Sequence, residues 1–285
     1  MTDDSPLPPP AERLGRPVEP SSKPHGTVSL ILRFTVVALV MIPVSVLYWA
    51  LCLLLLPWRS LRIQAGNLYG KIIGRTVQRM TGIVPEIHHF EKRDAARPAI
   101  YLMNHTATID MWIGMWFCPW RGCGMAKKEI VRVPIFGQAY WLSGHLLLDR
   151  GNREKAIASM DRARQVIEKH DLSMWIWPEG TRSRSGRLKR FKKGFVHMAI
   201  ATGLPIVPCV AHNAHLYWPG GTFKVRPGRL QFEVLDAIST EGWSADTVDE
   251  HVDEVMSAFR AVLGDNQQEK TEGAPTSSSG TSTPG

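Results

Sequence analysis

Asn104-His105-Thr106-Ala107-Thr108-Ile109-Asp110 follows directly on the apolar run Ala99-Ile100-Tyr101-Leu102-Met103. A short apolar run that stops at polar residues reads as a buried strand. This one stops at a histidine, whose ring titrates near neutral pH and can take a proton from a hydroxyl and return it. A carboxylate on the far ring nitrogen would fix the tautomer and steady the imidazolium. On a regular helix five residues turn by about 500°, which leaves the two side chains roughly 140° apart. His105 and Asp110 can therefore meet only if His105 sits in a turn and Asp110 lies in the helix that follows. Asn104, Thr106 and Thr108 are the turn and cap residues such an entry favours. A surface histidine and a helix-start aspartate that never touch would read the same way, so the rest of the chain has to decide.

Outward from this unit, from Gly82 onward, strand-like and helix-like patterns alternate, which predicts an α/β fold. Strands are expected at 83–88, 98–103, 123–126, 145–148, 173–177, 205–210 and 229–235. Helices are expected at 109–117, 135–143, 153–169, 192–202 and 246–263. The last begins after Ser244 with acidic residues in its first turns, as a helix start favours. The segment 204–210, Leu-Pro-Ile-Val-Pro-Cys-Val, reads as a buried strand interrupted by proline. A catalytic-size domain over 83–264 is long enough to bury a full core. Residues 1–27, with seven prolines, and the Ser/Thr/Gly/Pro-rich residues 265–285 read as disordered tails.

Residues 28–82 have a different character. Phe34 to Leu56 contains no charged side chain and is long enough, as a helix, to cross a hydrocarbon core. Arg33 bounds one end; Trp58, Arg59 and Arg62 bound the other, as interface anchors do. Basic residues are nearly balanced across it, so its orientation is weakly specified and a segment that enters one leaflet and returns is an alternative. In 59–81, Leu61, Ala65, Leu68, Ile72, Ile73, Val77 and Met80 recur at helical spacing, with Arg62, Lys71, Arg75 and Arg79 largely elsewhere on the wheel. This predicts an amphipathic helix lying on anionic lipid or, alternatively, one packed on the soluble domain.

The chain of 285 residues has 34 Lys plus Arg against 26 Asp plus Glu, a net charge of +8. That suits an anionic partner such as phospholipid headgroups, a phosphorylated substrate or an acidic carrier protein. The basic residues are scattered and form no nucleic-acid arm, so no nucleic-acid partner is expected. The four cysteines lack a Cys-x-x-Cys pair, which argues against a zinc site or disulfide framework and favours reduced thiols.

Two further motifs carry charge. Lys127-Lys128-Glu129, Pro134-Ile135-Phe136-Gly137 and the run from Gly144 to Leu148-Asp149-Arg150 could converge on a phosphate, or could be ordinary surface charge. Trp175-Ile176-Trp177-Pro178 reads as a strand that opens into Glu179-Gly180-Thr181-Arg182-Ser183-Arg184-Ser185-Gly186, a polar loop with donors for an oxyanion or phosphate. Unselective binding of headgroups is its alternative reading. No Gly-x-Ser-x-Gly elbow, phosphate loop or dinucleotide motif is present. His105 thus lacks an obvious protein nucleophile, and its proton should come from a bound substrate.

Taken together, Asn-His-x4-Asp, Pro-x-Phe-Gly with Leu-Asp-Arg, Pro-Glu-Gly-Thr-Arg-Ser and the Ile-Val-Pro strand resemble, in order and spacing, the four blocks of the glycerolipid acyltransferases. The stretch 134–153 looks most like the bacterial 1-acyl-sn-glycerol-3-phosphate acyltransferases. The resemblance covers about 83–215. It implies an αβ acyltransferase domain, with a mixed, largely parallel sheet flanked by helices, behind an N-terminal membrane-binding helical pair. It implies His105 as general base and Asp110 as its orienting carboxylate. Lys128, Asp149 and Arg150 would belong to the phosphate-recognition surface, and Glu179, Gly180, Thr181 and Arg182 to the block that binds the acceptor's glycerol phosphate. The co-substrate would be an acyl thioester of coenzyme A or acyl carrier protein, with no bound cofactor or metal. Membrane phospholipid and lysophosphatidate would be the partners, at a bacterial inner membrane with the catalytic domain on the cytoplasmic face. Amides at the start of the helix after His105 would suit the tetrahedral oxyanion. Transfer to another lysolipid, such as lyso-ornithine lipid, and a non-catalytic anionic-lipid-binding protein are the competing readings.

Overall fold

The computed structural model describes residue 20 and residues 23–132, 136–149 and 151–268. Pro134, Ile135, Arg150 and most of the two expected tails lie outside the described residues. Two long helices come first, α1 (Thr27–Leu54) and α2 (Arg59–Thr81). Then follow β1 (Ile83–His88), α3 (Lys92–Ala95), β2 (Ile100–Met103), α4 (Ile109–Phe117), β3 (Gly122–Lys127) and a 3-10 turn (Lys128–Arg132). The chain continues through α5 (Phe136–Leu142), β4 (Leu146–Leu148), α6 (Arg153–His170), β5 (Ser173–Ile176), α7 (Gly194–Thr202) and β6 (Ile206–Ala211). It closes with α8 (Ala214–Tyr217), β7 (Gly228–Val234) and α9 (Val248–Val262). From Gly82 onward each expected strand and helix has a counterpart, with ends displaced by at most two residues, the usual uncertainty of element boundaries.

Among the described residues the strands form one seven-stranded sheet in the order β1-β7-β6-β2-β5-β3-β4. β6, β2, β5, β3 and β4 run parallel, β1 runs parallel to β7, and β6 meets β7 antiparallel. Parallel strands with both faces covered read as continuous apolar runs. β2 is buried throughout for that reason. Its Ile100 and Leu102 join a core under α6, α7 and α9, while Tyr101 and Met103 join a core under α4 and α2. Pro208 does not interrupt β6, contrary to the expectation: the strand runs through it, and its carbonyl accepts from Leu235 N at 2.9 Å.

The sequence stripe expected on α2 divides in two. Ile73 and Val77 face inward, while Leu61, Leu68 and Ile72 are exposed. The buried face also carries Asn67, Gly70, Gly74 and Thr81, and α2 packs through it on α4. Glycine makes this approach possible. A Cβ on Gly70 would stand 2.9 Å from Met115 O, and one on Gly74 would stand 2.5 Å from Trp112 O. The basic residues at the start of α2 are drawn into the protein: Arg62 Nη1 donates to Leu142 O at 2.7 Å and Arg59 Nε to Gly144 O at 2.8 Å. Desolvated main-chain carbonyls need donors, and these guanidiniums supply them.

α1 begins seven residues before the uncharged run, so Arg33 lies inside it and donates to Met80 O at 2.8 Å. Leu30 and Val37 enter the α4-side core, Phe34 packs on Trp218, and Tyr48 donates to Ser143 Oγ at 2.6 Å. The opposite side, including Val28, Ile31, Leu39, Ile42, Val46, Leu47 and Leu54, is exposed. α1 is the one helix among the described residues long and apolar enough to cross a membrane. At the other end of the chain, Gln267 is buried, receives Leu188 N on its carbonyl at 2.7 Å, and accepts from Asn213 N through its side chain at 2.9 Å. Packed, hydrogen-bonded chain therefore continues past residue 264.

Gly74→Val should destabilise the protein by about 2 kcal/mol, because overpacking here presses on a backbone carbonyl. Gly26→Ala should cost little, since nothing stands within 4 Å of its Cβ. Thermal unfolding in detergent checks the contrast.

Candidate active site

His105 stands two residues beyond the apolar part of β2, where the strand leaves the sheet. Asn104 holds that exit. Its Nδ2 donates to Ala211 O at 3.0 Å and its Oδ1 accepts from Ala211 N at 2.8 Å. The side chain thus makes a two-bond ladder to the end of β6, whose position next to β2 the sheet has already set. His105 then turns, and α4 starts at Ile109. Asp110, in the first turn of α4, is fully buried. Its Oδ2 lies 3.1 Å from His105 Nδ1 and accepts from the amides of Thr106 and Ala107, each at 2.7 Å. The two side chains meet with histidine off the helix and aspartate on it. The carboxylate's hydrogen bonds to the turn hold the backbone in the shape that brings the ring to it.

The polar residues of this turn act differently from the expectation. Thr108 precedes the helix but makes no side-chain cap; its hydroxyl accepts from Arg182 Nη1 at 3.3 Å. The amides of the turn that precedes the helix are already committed: Thr106 and Ala107 to Asp110, and Thr108 to Trp218 O at 3.0 Å. Tertiary partners compete for the same donors that a bare helix start would offer.

β5 lies beside β2 and parallel to it, so the loop after β5 opens at the same end of the sheet. Glu179 is buried, and its Oε1 accepts from the backbone N–H of His105 at 2.9 Å. Ser183 N donates to His105 O at 2.7 Å. His105 is therefore held at both of its main-chain groups by the Glu179–Ser183 loop. Trp177 packs on its ring at a centroid distance of 5.4 Å. Gly180 has φ +72°, a left-handed turn residue that carries the chain from Glu179 to Arg182. Arg182 lies half-buried over the start of α4, where a Cβ on Gly220 would come within 2.6 Å of its Cδ. Thr181 is exposed.

The remaining expected residues sit further along the same rim. Lys128 follows β3 and Asp149 follows β4, two and three strands from β2, or about 10 and 14 Å by strand spacing. Lys128 Nζ and Asp149 Oδ2 form an ion pair at 2.6 Å. The Lys128 hydrogen bond, then the amide of Gly151, lowers the Asp149 pKa. Lys128 and Asp149 thus satisfy each other, and Arg150 lies outside the described residues. Asn104 and Ser183 both belong to motifs legible in the sequence, but their roles, the Asn104 ladder to Ala211 and the Ser183 amide on His105 O, are set by contacts between distant residues. Among the described residues no group of three or more His, Cys, Asp or Glu comes together.

The histidine-aspartate pair, the glutamate loop and an arginine over the helix start occupy one end of a mixed α/β sheet, and comparison with known proteins meets this arrangement. The Acyltransferase family profile matches residues 84–212. A 1-acyl-sn-glycerol-3-phosphate acyltransferase of Limnanthes douglasii is 43% identical over 229 residues, covering 79% of this chain and 80% of its own. One from Escherichia coli is 31% identical over 205 residues, covering 72% and 82%. The crystal structure of the 1-acyl-sn-glycerophosphate acyltransferase of Thermotoga maritima shares the fold, with a TM-score of 0.54 at 21% identity over 78% of this chain and 95% of that one. The chain belongs to the acyltransferase family that includes the 1-acyl-sn-glycerol-3-phosphate acyltransferases.

Proposed function

We propose that the protein transfers a fatty acyl chain from an acyl thioester to the free hydroxyl of 1-acyl-glycerol-3-phosphate, giving phosphatidic acid. The observation that carries this reading is the 3.1 Å His105–Asp110 contact at the same rim as Arg182. Asp110 accepts the Nδ1 proton, which leaves Nε2 as the basic nitrogen. Nε2 takes the proton of the acceptor hydroxyl as its oxygen attacks the thioester carbonyl. The tetrahedral adduct collapses, the C–S bond breaks, and the thiolate recovers that proton from Nε2. No protein nucleophile and no metal enters these steps. Donor thioesters of coenzyme A and of acyl carrier protein both satisfy them.

Arg182 serves as the counter-charge for the acceptor phosphate. Its guanidinium is fixed on one side by Thr108 and carries a fork matched to phosphate oxygens. Lys128 and Asp149 support the rim as a bound pair, with Arg150 next to Asp149 in sequence. Glu179 is a positioning residue: its carboxylate is turned inward to the His105 amide, away from the acceptor role that the motif suggests. The exposed apolar side of α1, continued by Leu61, Leu68 and Ile72 of α2, is the surface that enters the lipid. Because α1 rests on the domain at Phe34 and at Tyr48, it lies in one leaflet beside the domain. The four thiols, all free, suit a cytoplasmic face of a bacterial inner membrane.

His105→Ala should lower acyl transfer to lysophosphatidate by at least about 10²-fold while vesicle binding persists. Near wild-type turnover would remove His105 as the base. Arg182→Ala should raise the KM for lysophosphatidate far more than that for the acyl thioester, and steady-state kinetics with each substrate varied will separate the two. Glu179→Ala should reduce kcat by up to about 10²-fold at little cost in acceptor KM, because the base is displaced. Glu179→Gln keeps a carbonyl acceptor for the His105 amide and should recover much of the rate; a rise in acceptor KM in both variants would return Glu179 to substrate binding.

A further inference from the structure

A cavity of about 430 Å³ opens beside the edge strand β4, between the start of α2 and one side of α6. Arg59, Arg62 and Arg162 line it, with Trp141, Ser159 and Gln165. It lies apart from the reaction centre. His105 follows the C-terminal end of β2, whereas Gly144 and His145, which also line the cavity, precede the N-terminal end of β4. Through the strand register Leu146 is level with Leu102, so the cavity is set off from the reaction centre by its place at the far edge of the sheet, with β4 three strands, or about 14 Å, from β2.

We propose that this cavity binds the phosphate of an anionic phospholipid headgroup, as a lipid site separate from the acyl-transfer centre. No carboxylate is among the lining residues. Arg59 donates to Gly144 O and, through Nη2, to His145 O at 3.1 Å; Arg62 donates to Leu142 O. These neutral carbonyls orient the guanidiniums and leave their charge uncompensated. Arg62 is only 9% exposed, and its Nε has no hydrogen-bond partner among the described residues. A buried cation of this kind is costly unless an opposite charge and the missing hydrogen bond are supplied. A phosphate in the cavity supplies the opposite charge. Arg162 stands exposed at the cavity, with no ion pair or hydrogen bond among the described residues. Burial, then the Arg59 guanidinium, holds the His145 pKa down to about 4, so this imidazole is neutral at physiological pH and adds no charge of its own.

The surroundings select the lipid as the source of the phosphate. Trp141, itself in the lining, is half exposed, and Leu54, Leu56, Trp58 and Leu61, which flank Arg59 in sequence, are exposed. Arginines next to exposed tryptophan and leucine mark the depth at which headgroups lie. The volume is that of a small-molecule site and exceeds what bare inorganic phosphate would fill. Occupied, the site would fix how the domain sits on the bilayer. The inference uses the interfacial placement proposed above and none of the catalytic assignments.

The test is flotation of the full chain with phosphatidylcholine vesicles and with vesicles that also contain phosphatidylglycerol, a phosphodiester lipid that is no acceptor in the proposed reaction. Wild type should prefer the anionic vesicles. Arg162→Gln and Arg62→Gln should each reduce that preference roughly five-fold. Arg229→Gln, the same charge change at an exposed position on β7 near the other edge of the sheet, should leave it intact. Arg62 also braces Leu142, so Arg162→Gln decides the outcome if Arg62→Gln does not fold. Acyl transfer by Arg162→Gln in detergent micelles should match wild type. An equal loss in Arg162→Gln and Arg229→Gln would overturn the site in favour of diffuse surface charge. Binding of inorganic phosphate or coenzyme A that Arg162→Gln abolishes, without any vesicle preference, would overturn the lipid assignment. Failure of wild type to float with either vesicle would overturn the interfacial placement and this site with it.

Discussion

One oxygen of Asp110 governs the shape of the reaction centre. It gathers the amides of Thr106 and Ala107 and the ring of His105, in a position with no exposure to solvent. A carboxylate removed from water must recover its lost hydration through hydrogen bonds, and here the donors come from the turn that carries the histidine. The charge, the turn and the ring orientation are therefore one structure. Loosening any of them exposes the others to the cost of an unpaired buried group.

That local structure is useful because the sheet supplies its neighbours. β2, β5 and β6 are adjacent, and each contributes at its C-terminal end: His105 from β2, the Glu179–Ser183 loop from β5, and Ala211, which pairs with Asn104, from β6. The open end of a parallel sheet gathers residues from separate parts of the chain without any one of them being near another in sequence. On the far side of α4, the glycines of α2 allow a helix backbone to approach to contact distance. The reaction centre and the apolar α1–α2 surface are thereby mounted on the same rigid helix.

Several residues were legible in type, while their partners were not. Glu179 sits in a loop rich in phosphate donors, yet its carboxylate faces a backbone amide. A negative side chain among positive ones is equally suited to holding the loop or to contacting a ligand, and only the neighbouring strand decides. Lys128 and Asp149 each looked available to a substrate until the β3–β4 pairing set them within an ion-pair distance of each other. Thr108 has the composition of a helix cap, but Arg182 takes its hydroxyl. The amphipathic reading of α2 failed in part because hydrophobicity scales ignore glycine as a packing surface, and Gly70 and Gly74 are the centre of its buried face.

By itself the sequence determined the α/β alternation, the position of nearly every element, the family, and the requirement that His105 lie off the helix that carries Asp110. These follow from short-range periodicity and from spacing along one chain, which a linear reading contains. Only the tertiary structure decided that Glu179 holds the histidine's backbone, that Asn104 ties β2 to β6, that Lys128 is already paired, and that three arginines surround a cavity without a counter-charge. Each of those depends on residues that strand order brings together from distant parts of the chain, and strand order is set by the packing of both sheet faces at once.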